Sequence, residues 1–332
     1  MAPAACPPAG IYVPVPTFFA GKSSPDYHPA SPPLDPETQG AYSVYLARSG
    51  VKGLVILGST GEGIHLHPSE RSTVLRASHR ALDVAGYKDY PLIVGTATQS
   101  IAEAVEQLSQ AKQDGAQWGL CLVPGYFAAA ASQESIIAWF RAVADKSPIP
   151  VMVYHYPGVS NNVQCTPSTL AALAAHPNIV GCKLSHGDVS AHGLVTANPA
   201  VDPAHFAVFT GFGQQLLAVT ALGAAGAIDG SAGFFPRAVV RLHDLAGKGN
   251  PTADEARERL LLQYRVSGVY EFVLRFGIVG VKEAVSRLRG FGEVGGARAP
   301  LLGGLPGGDE EWAKWKGIFE PMEDMEKSVG GL

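Results

Sequence analysis

Eight short apolar runs, separated by segments with helical spacing, recur along the first three quarters of the chain and constrain its fold more than any other feature. The runs are GIYVPVPTFF, GLVILG, PLIVGTA, WGLCLVPG, IPVMVYHY, NIVGCKLS, FAVFTG and GAIDG. Near-continuous apolar runs of this length are typical of parallel strands covered on both faces. In the intervening segment HPSERSTVLRASHRALDVAG, Val74, Leu75 and Leu82 share one apolar helical stripe. The alternation predicts an α/β protein with a (β/α)8 barrel, and an open doubly wound sheet is the alternative.

Strand signals stop after residue 250, where the segments ADEARERLLLQYRVSGVYEFVLRF, IVGVKEAVSRLRGF and DEEWAKWKGIFEPMEDMEK have helical spacing. We therefore predict a catalytic barrel over residues 1–248 and a helical region over 249–332 that packs on it as a C-terminal appendage.

Charge and composition exclude several classes of function. The formal net charge is -4, with no basic stripe of the kind that binds nucleic acid, and no apolar run long enough to span a bilayer. The first residues, MAPAACPPAG, do not resemble a signal peptide. The four cysteines, scattered and without a CxxC pair, suggest free thiols in a reducing compartment. A cytoplasmic protein with a small-molecule substrate is expected.

Lys183 ends the sixth apolar run, in the stretch NIVGCKLSHGD. An unpaired ammonium buried there is costly, so its pKa is expected to fall. A desolvated neutral amine can form a Schiff base with a carbonyl substrate. The alternative is a lysine whose chain reaches the rim of the barrel or pairs with a carboxylate.

Polar side chains also follow other strands, and in (β/α)8 barrels the active site lies at the carboxyl ends of the strands. Ser59 and Thr60 lie in GSTGEG after the second run, where their hydroxyls and small neighbours could hold a carboxylate. The alternative there is a tight turn with a solvated Glu62. Tyr154 ends the fifth run, one strand from Lys183, and Tyr126 lies in PGYF after the fourth. Inward residues at matching heights on neighbouring strands can meet.

Three motifs in order resemble the signature of the dihydrodipicolinate synthase / N-acetylneuraminate lyase superfamily of pyruvate-handling class I aldolases. They are GSTGE after strand two, YxxP after strand five and PNIVGxK ending strand six. The resemblance runs from about Gly10 to the segment VKEAVSRLRGFGEVGGARAPL. It implies that there is no cofactor, because Lys183 would itself form a covalent imine with the substrate. It also implies that Tyr154 would shuttle protons.

The same resemblance implies further site residues and an assembly. Ser59 and Thr60 would bind the 2-oxo acid carboxylate, with a hydroxyl of this pair in the proton relay. Tyr126 would complete the relay of a neighbouring copy, so a homo-oligomer, a dimer of dimers, is expected. The remaining implied substrate-binding positions are Ser185, Gly211 and the backbone at Ile228.

Departures from the family pattern bear on the substrate. Val159 stands where dihydrodipicolinate synthases carry a carboxylate-binding arginine, and GFGQQ replaces the acidic residues of sialic acid lyases. The chain looks most like fungal aldolases for 2-keto-3-deoxy sugar acids such as 2-keto-3-deoxy-L-galactonate, which release pyruvate and an aldehyde such as glyceraldehyde. The alternative is a 4-hydroxy-2-oxoglutarate aldolase that gives pyruvate and glyoxylate, while a dihydrodipicolinate synthase and a non-catalytic homologue are disfavoured. No metal is expected, since His65 and His67 alone would make a poor class II site.

Overall fold

The eight predicted strands are all present and close into one parallel barrel, in chain order from β1 to β8 and back to β1. The computed structural model describes residues 3–329. The strands are β1 Gly10–Pro14, β2 Gly53–Ile56, β3 Leu92–Thr96, β4 Trp118–Leu122, β5 Val151–His155, β6 Ile179–Leu184, β7 Ala207–Thr210 and β8 Gly226–Ile228. Nearly every strand residue is buried, because side chains fill the barrel on one face and meet helices on the other. The prediction of a (β/α)8 barrel is confirmed.

A helix follows each strand and packs on the outside of the barrel. The eight outer helices are α1 Pro36–Arg48, α2 Pro68–Val84, α3 Ile101–Gln113, α4 Gln133–Lys146, α5 Pro167–Ala174, α6 Val189–Thr196, α7 Leu216–Ala221 and α8 Pro236–Ala246. In α2 the predicted stripe of Val74, Leu75 and Leu82 is buried, and Glu70 closes a capping box at the first turn. The apolar core therefore has two parts, one inside the barrel and one between the strands and the helices.

The N-terminal segment covers the end of the barrel opposite the carboxyl ends of the strands. The indole N–H of Trp118, the first residue of β4, donates to the carbonyl of Ala5. The phenol of Tyr12 donates to the carbonyl of Pro8. Substrate access is thus left to the carboxyl ends.

Three helices form the C-terminal part, α9 Ala253–Arg289, α10 Gly308–Lys314 and α11 Lys316–Val329. The long α9 bends at Gly277, whose φ of 56° and ψ of -137° are not helical, and this is the point that separates two of the predicted helices. It packs against α8 and against the turns after β7 and β8. In this way the helical region reaches the mouth of the barrel. Within residues 3–329, no helix is both long and apolar enough to cross a membrane.

Candidate active site

Lys183 and Tyr154 meet at the carboxyl end of the barrel. They are direct partners in the register of β5 and β6, and Tyr154 belongs to the apolar cluster inside the barrel. The Nζ atom of Lys183 donates to the phenol oxygen of Tyr154 at 3.3 Å and lies 4.4 Å from the centre of its ring. Lys183 is only 6% exposed. The side chain of Lys183 therefore ends inside the mouth of the barrel. The alternative, in which it reaches the rim of the barrel, is wrong.

Burial sets the protonation of both groups. Desolvation lowers the pKa of Lys183 to about 7, although the negative charge of Asp229 opposes the shift. Desolvation also raises the pKa of Tyr154 to about 12, against hydrogen bonds from Ser59 and Ser185. At neutral pH a large share of the lysine is a free amine, while the tyrosine keeps its proton. The pair combines a nucleophile with a proton donor.

The turn after β2 brings Ser59 to the same point. Its hydroxyl oxygen lies 3.4 Å from the phenol oxygen of Tyr154, so the two hydroxyls and the lysine form a row. The turn is tight: a Cβ atom at Gly63 would lie 2.3 Å from the carbonyl oxygen of Leu57. Glu62, at the back of the turn, is 1% exposed and forms an ion pair with Lys282. The alternative of a solvated Glu62 is therefore wrong.

A cavity of about 230 Å³ opens in front of Lys183. The predicted residues that line it are Ser59, Thr60, Tyr154, Val159, Lys183, Ser185, Gly211 and Ile228. Gly211 leaves room for Ser185, because a Cβ atom there would lie 2.0 Å from the hydroxyl oxygen of Ser185 and would displace that side chain. Within the described part of the chain, no second Lys, Arg or His side chain lines this cavity.

Tyr126 lies outside that cavity and is 74% exposed. Its ring packs edge-on against Phe127, which is also exposed. The backbone N–H groups of Gly125 and Tyr126 both donate to the side-chain oxygen of Gln99, which fixes the loop. Tyr126 thus contributes nothing to the site of its own chain.

Several residues of the site have no signal in the sequence. Tyr270 of α9 donates its phenol proton to the carbonyl of Gly211 at 2.6 Å, and Val273, Leu274 and Ile278 form an apolar wall of the cavity. Their helix was predicted as an appendage, so nothing marked them as lining residues. Asp229, directly after β8, is fully buried, and its carboxylate accepts the N–H and hydroxyl protons of Ser231.

The histidines near the site have other partners. His155 points away from the barrel interior, as strand alternation predicts, and its Nε2 atom accepts from the N–H of Cys165. His67 caps α2, and His65 contacts Glu62. Among residues 3–329, no three His, Cys, Asp or Glu side chains are grouped as metal ligands.

The fold and this site define a class of protein, the barrel enzymes that keep a desolvated lysine at the carboxyl ends of the strands. The chain belongs to the dihydrodipicolinate synthetase family, whose model matches residues 37–303. The predicted family is therefore confirmed. The two relatives described next are both named as aldolases, which confirms the prediction of an aldolase.

Two fungal relatives cover most of the chain. It is 35% identical over 299 residues to "L-threo-3-deoxy-hexylosonate aldolase" of Hypocrea jecorina, covering 89% of this chain and 90% of the relative. It is 34% identical over 320 residues, or 96% of each chain, to the Emericella nidulans protein named "Probable 4-hydroxy-2-oxoglutarate aldolase, mitochondrial".

Solved structures show the same fold over almost the whole length. A dihydrodipicolinate synthase family protein from Coccidioides immitis matches with a TM-score of 0.81 at 26% identity, covering 99% of both chains. A prophage protein of the same family from E. coli K12, solved in complex with pyruvate, matches with a TM-score of 0.79 at 26% identity, covering 95% of this chain and 98% of that one.

Proposed function

We propose that this protein is a class I aldolase that reversibly cleaves a 2-keto-3-deoxy sugar acid, such as 2-keto-3-deoxy-L-galactonate, to pyruvate and an aldehyde such as glyceraldehyde. The observation that carries the proposal is a buried Lys183 with a pKa of about 7, in contact with Tyr154 at the barrel mouth. No external cofactor is needed, since the imine on Lys183 is the electron sink.

The reaction uses Lys183 as the covalent group. Its neutral amine attacks the C2 carbonyl, water leaves, and a protonated imine forms. The C3–C4 bond then breaks as the C4 hydroxyl loses its proton, the electron pair moves to the imine to give an enamine, and the aldehyde departs. Protonation of the enamine at C3 and hydrolysis by water release pyruvate and regenerate the amine.

Tyr154 moves the proton in the bond-breaking step. Because its pKa is raised to about 12, the phenol is not a preformed base. It accepts the proton of the C4 hydroxyl while it passes its own to Ser59, whose hydroxyl oxygen is 3.4 Å away, and the hydroxyl of Ser59 releases its own proton to water at the mouth of the barrel in the same step. A coupled transfer of this kind avoids a free phenolate in the buried site.

The carboxylate end of the substrate is assigned to the turn after β2. Ser59 and Thr60 both line the cavity beside Lys183, and a carboxylate held there presents its adjoining carbonyl to the amine. Ser185, Gly211 and the backbone at Ile228 complete the walls around the reacting carbons.

We expect the enzyme to cleave 2-keto-3-deoxy hexonates with a higher kcat/KM than 4-hydroxy-2-oxoglutarate. Val159 stands where dihydrodipicolinate synthases carry a carboxylate-binding arginine, so within the cavity of Lys183 a second carboxylate would find no further cationic side chain among the described residues. Released pyruvate, measured for both substrates at several concentrations, gives the two values. The reverse order of kcat/KM would replace the proposed substrate class by the 4-hydroxy-2-oxo diacid.

One observation favours that second candidate. An adjoining cavity of about 410 Å³ shares Ser59, Tyr154 and Val159 with the lysine cavity and is also lined by Arg71. The guanidinium of Arg71 donates to the carbonyls of Gly63 and Gly95, at 3.0 and 2.8 Å. These bonds engage it but leave further N–H donors. A distal carboxylate that reached this cavity would meet a cation.

We propose further that the active unit is at least a dimer, and a tetramer of two such dimers, in which each copy receives Tyr126 from its neighbour. The exposed Tyr126 and Phe127 suit a contact between copies, and an isologous contact gives each site one such tyrosine.

Mixed dimers test the shared site. Inactive Lys183→Ala and Tyr126→Phe chains, unfolded and refolded together, should regain part of the wild-type activity, because one site of each hybrid pairs an intact Lys183 with a donated Tyr126. Pyruvate release by the mixture is compared with each variant refolded alone. Hybrids that form, as shown by mass spectrometry, yet stay inactive would contradict the shared site.

The compartment is proposed from the cysteines. Cys6, Cys121, Cys165 and Cys182 are all free thiols, which suits a reducing compartment such as the cytoplasm.

A further inference from the structure

The carboxylate of Glu62 is buried directly behind the turn that carries Ser59 and Thr60. The backbone N–H of Glu62 donates to the carbonyl of Ser59 at 3.1 Å, so the two residues belong to one closed turn. Glu62 has a left-handed backbone conformation, with φ of 50°, which is unfavourable for a glutamate. The closed turn and the contacts of its side chain hold it in this conformation.

Lys282 of α9 supplies that interaction. Its Nζ atom donates to a carboxylate oxygen of Glu62 at 2.5 Å and to the carbonyl of Thr17 at 2.9 Å. The hydroxyl of Thr17 in turn donates to the carbonyl of Gly61 at 2.6 Å. The backbone N–H of Arg298 approaches the other carboxylate oxygen of Glu62 at 3.4 Å. The turn is thus held from behind by groups that do not line the cavity of Lys183.

Because the ion pair of Glu62 and Lys282 is buried, each charge depends on the other. Glu62 and Lys282 are 1% and 7% exposed, and desolvation lowers the pKa of Lys282 while the charge of Glu62 opposes the shift. Removal of one partner leaves the other charge uncompensated in the interior, and this strongly destabilises the folded protein. The remaining group must then move, neutralise or draw in water, and the turn moves with it.

The part of α9 that contains Lys282 also faces the cavity of Lys183. Ile278 and Val281 line it, and Val281 immediately precedes Lys282. One helical segment therefore forms a wall of the substrate cavity and fixes the turn opposite.

We propose that Lys282 and Glu62 are positioning residues that hold the hydroxyls of Ser59 and Thr60 at the height where they grip the substrate carboxylate. This inference rests on the proposed function, because the grip is part of it. It assigns the C-terminal helical region a direct part in recognition of the 2-oxo acid.

Two ketones can be used to separate binding of the carboxylate by Ser59 and Thr60 from formation of the imine. Pyruvate and hydroxyacetone both form an imine with an amine, but only pyruvate carries a carboxylate. The rate of adduct formation with cyanoborohydride, followed by intact mass, is measured for each ketone. The ratio of the two rates measures how much carboxylate binding contributes to adduct formation. A general loss of folded protein lowers both rates equally and leaves the ratio unchanged.

In Lys282→Met the preference for pyruvate over hydroxyacetone should fall by about 100-fold, the scale of a displacement of about 1 Å in a catalytic site. Lys282→Arg should restore much of it. The double variant Glu62→Gln with Lys282→Met removes both charges of this pair and leaves neither uncompensated. It therefore remains testable if Lys282→Met does not fold, and it should also lose the preference.

Arg287→Met is the matched control. Arg287 lies on the same helix and forms an ion pair with Glu283 at 2.7 Å, but neither residue lines the cavity of Lys183. Its ratio should match wild type. An unchanged ratio of the two rates in folded Lys282→Met and in the folded double variant would overturn the inference. Absence of any pyruvate adduct on the wild-type protein would instead reject the proposed function.

Discussion

Reduction with borohydride in the presence of pyruvate should add a pyruvate-derived mass to the peptide that contains Lys183. The expectation follows from the burial of this amine, which lowers its pKa to about 7 so that a large share is neutral at neutral pH, and from the proton donor beside it. Lys183→Ala should lose both the adduct and cleavage, by on the order of 10⁴–10⁶-fold in kcat, since the covalent path is removed. Peptide mapping and pyruvate release are the two measurements.

The pH dependence of adduct formation tests whether the lowered pKa of Lys183 makes it the reactive amine. Only the neutral amine attacks, so with a pKa of about 7 the rate should rise with pH up to about 7 and level off above it. An exposed lysine would still gain rate well beyond that pH, because its pKa is about 10.4. Lys183→Arg is the control, since it retains a cation that forms no adduct. An adduct on another lysine, or a rate that keeps rising at high pH, would contradict the assignment.

The meeting of Lys183 and Tyr154 could be predicted because it depends on strand geometry alone. Both residues end apolar runs that are consecutive in the chain, and consecutive strands of a barrel are neighbours. The same alternation places His155, the next residue, on the outward face of the strand. Where a feature follows from the period of a strand and the order of strands, a single sequence is sufficient.

The contacts of α9 could not be predicted in this way. Glu62 and Lys282 are separated by 220 positions, and neither has a local signal that names the other. Gly277 marked a break between two helices, but not that the bend would place Leu274 and Ile278 over the cavity. Such contacts depend on how a helix packs on the barrel, which the periodicity of the helix leaves open.

The site is consequently better defined at its covalent end than at its far end. Tyr154 contacts both Lys183 and Ser59 within one chain. The far wall combines Val159 with apolar residues of α9, and the proposed Tyr126 comes from a second copy. Discrimination among aldehydes is therefore expected to depend on α9 and on assembly, while the amine that forms the imine is held by the barrel.

Tyr154→Phe should leave imine formation largely intact and lower the rate of cleavage by about 10²–10⁴-fold. The phenol makes no covalent bond in the proposed reaction, but it carries the proton between the C4 hydroxyl and Ser59. Removal of the hydroxyl leaves the amine in place, still desolvated. Two measurements on one preparation separate these effects: pyruvate adduct formation under cyanoborohydride, and pyruvate release from a 2-keto-3-deoxy hexonate.

Tyr42→Phe is the matched control for that variant. Tyr42 is also fully buried, and its phenol donates to the carbonyl of Gly233, but it does not line the cavity of Lys183. The loss of one buried hydrogen bond should cost about 1 kcal/mol of stability and leave cleavage near wild type. If Tyr154→Phe cleaved the sugar acid as fast as Tyr42→Phe, the proton would have to travel by a route without this phenol. If Tyr154→Phe lost the adduct together with cleavage, the tyrosine would act on the amine itself, and its role would be to tune Lys183.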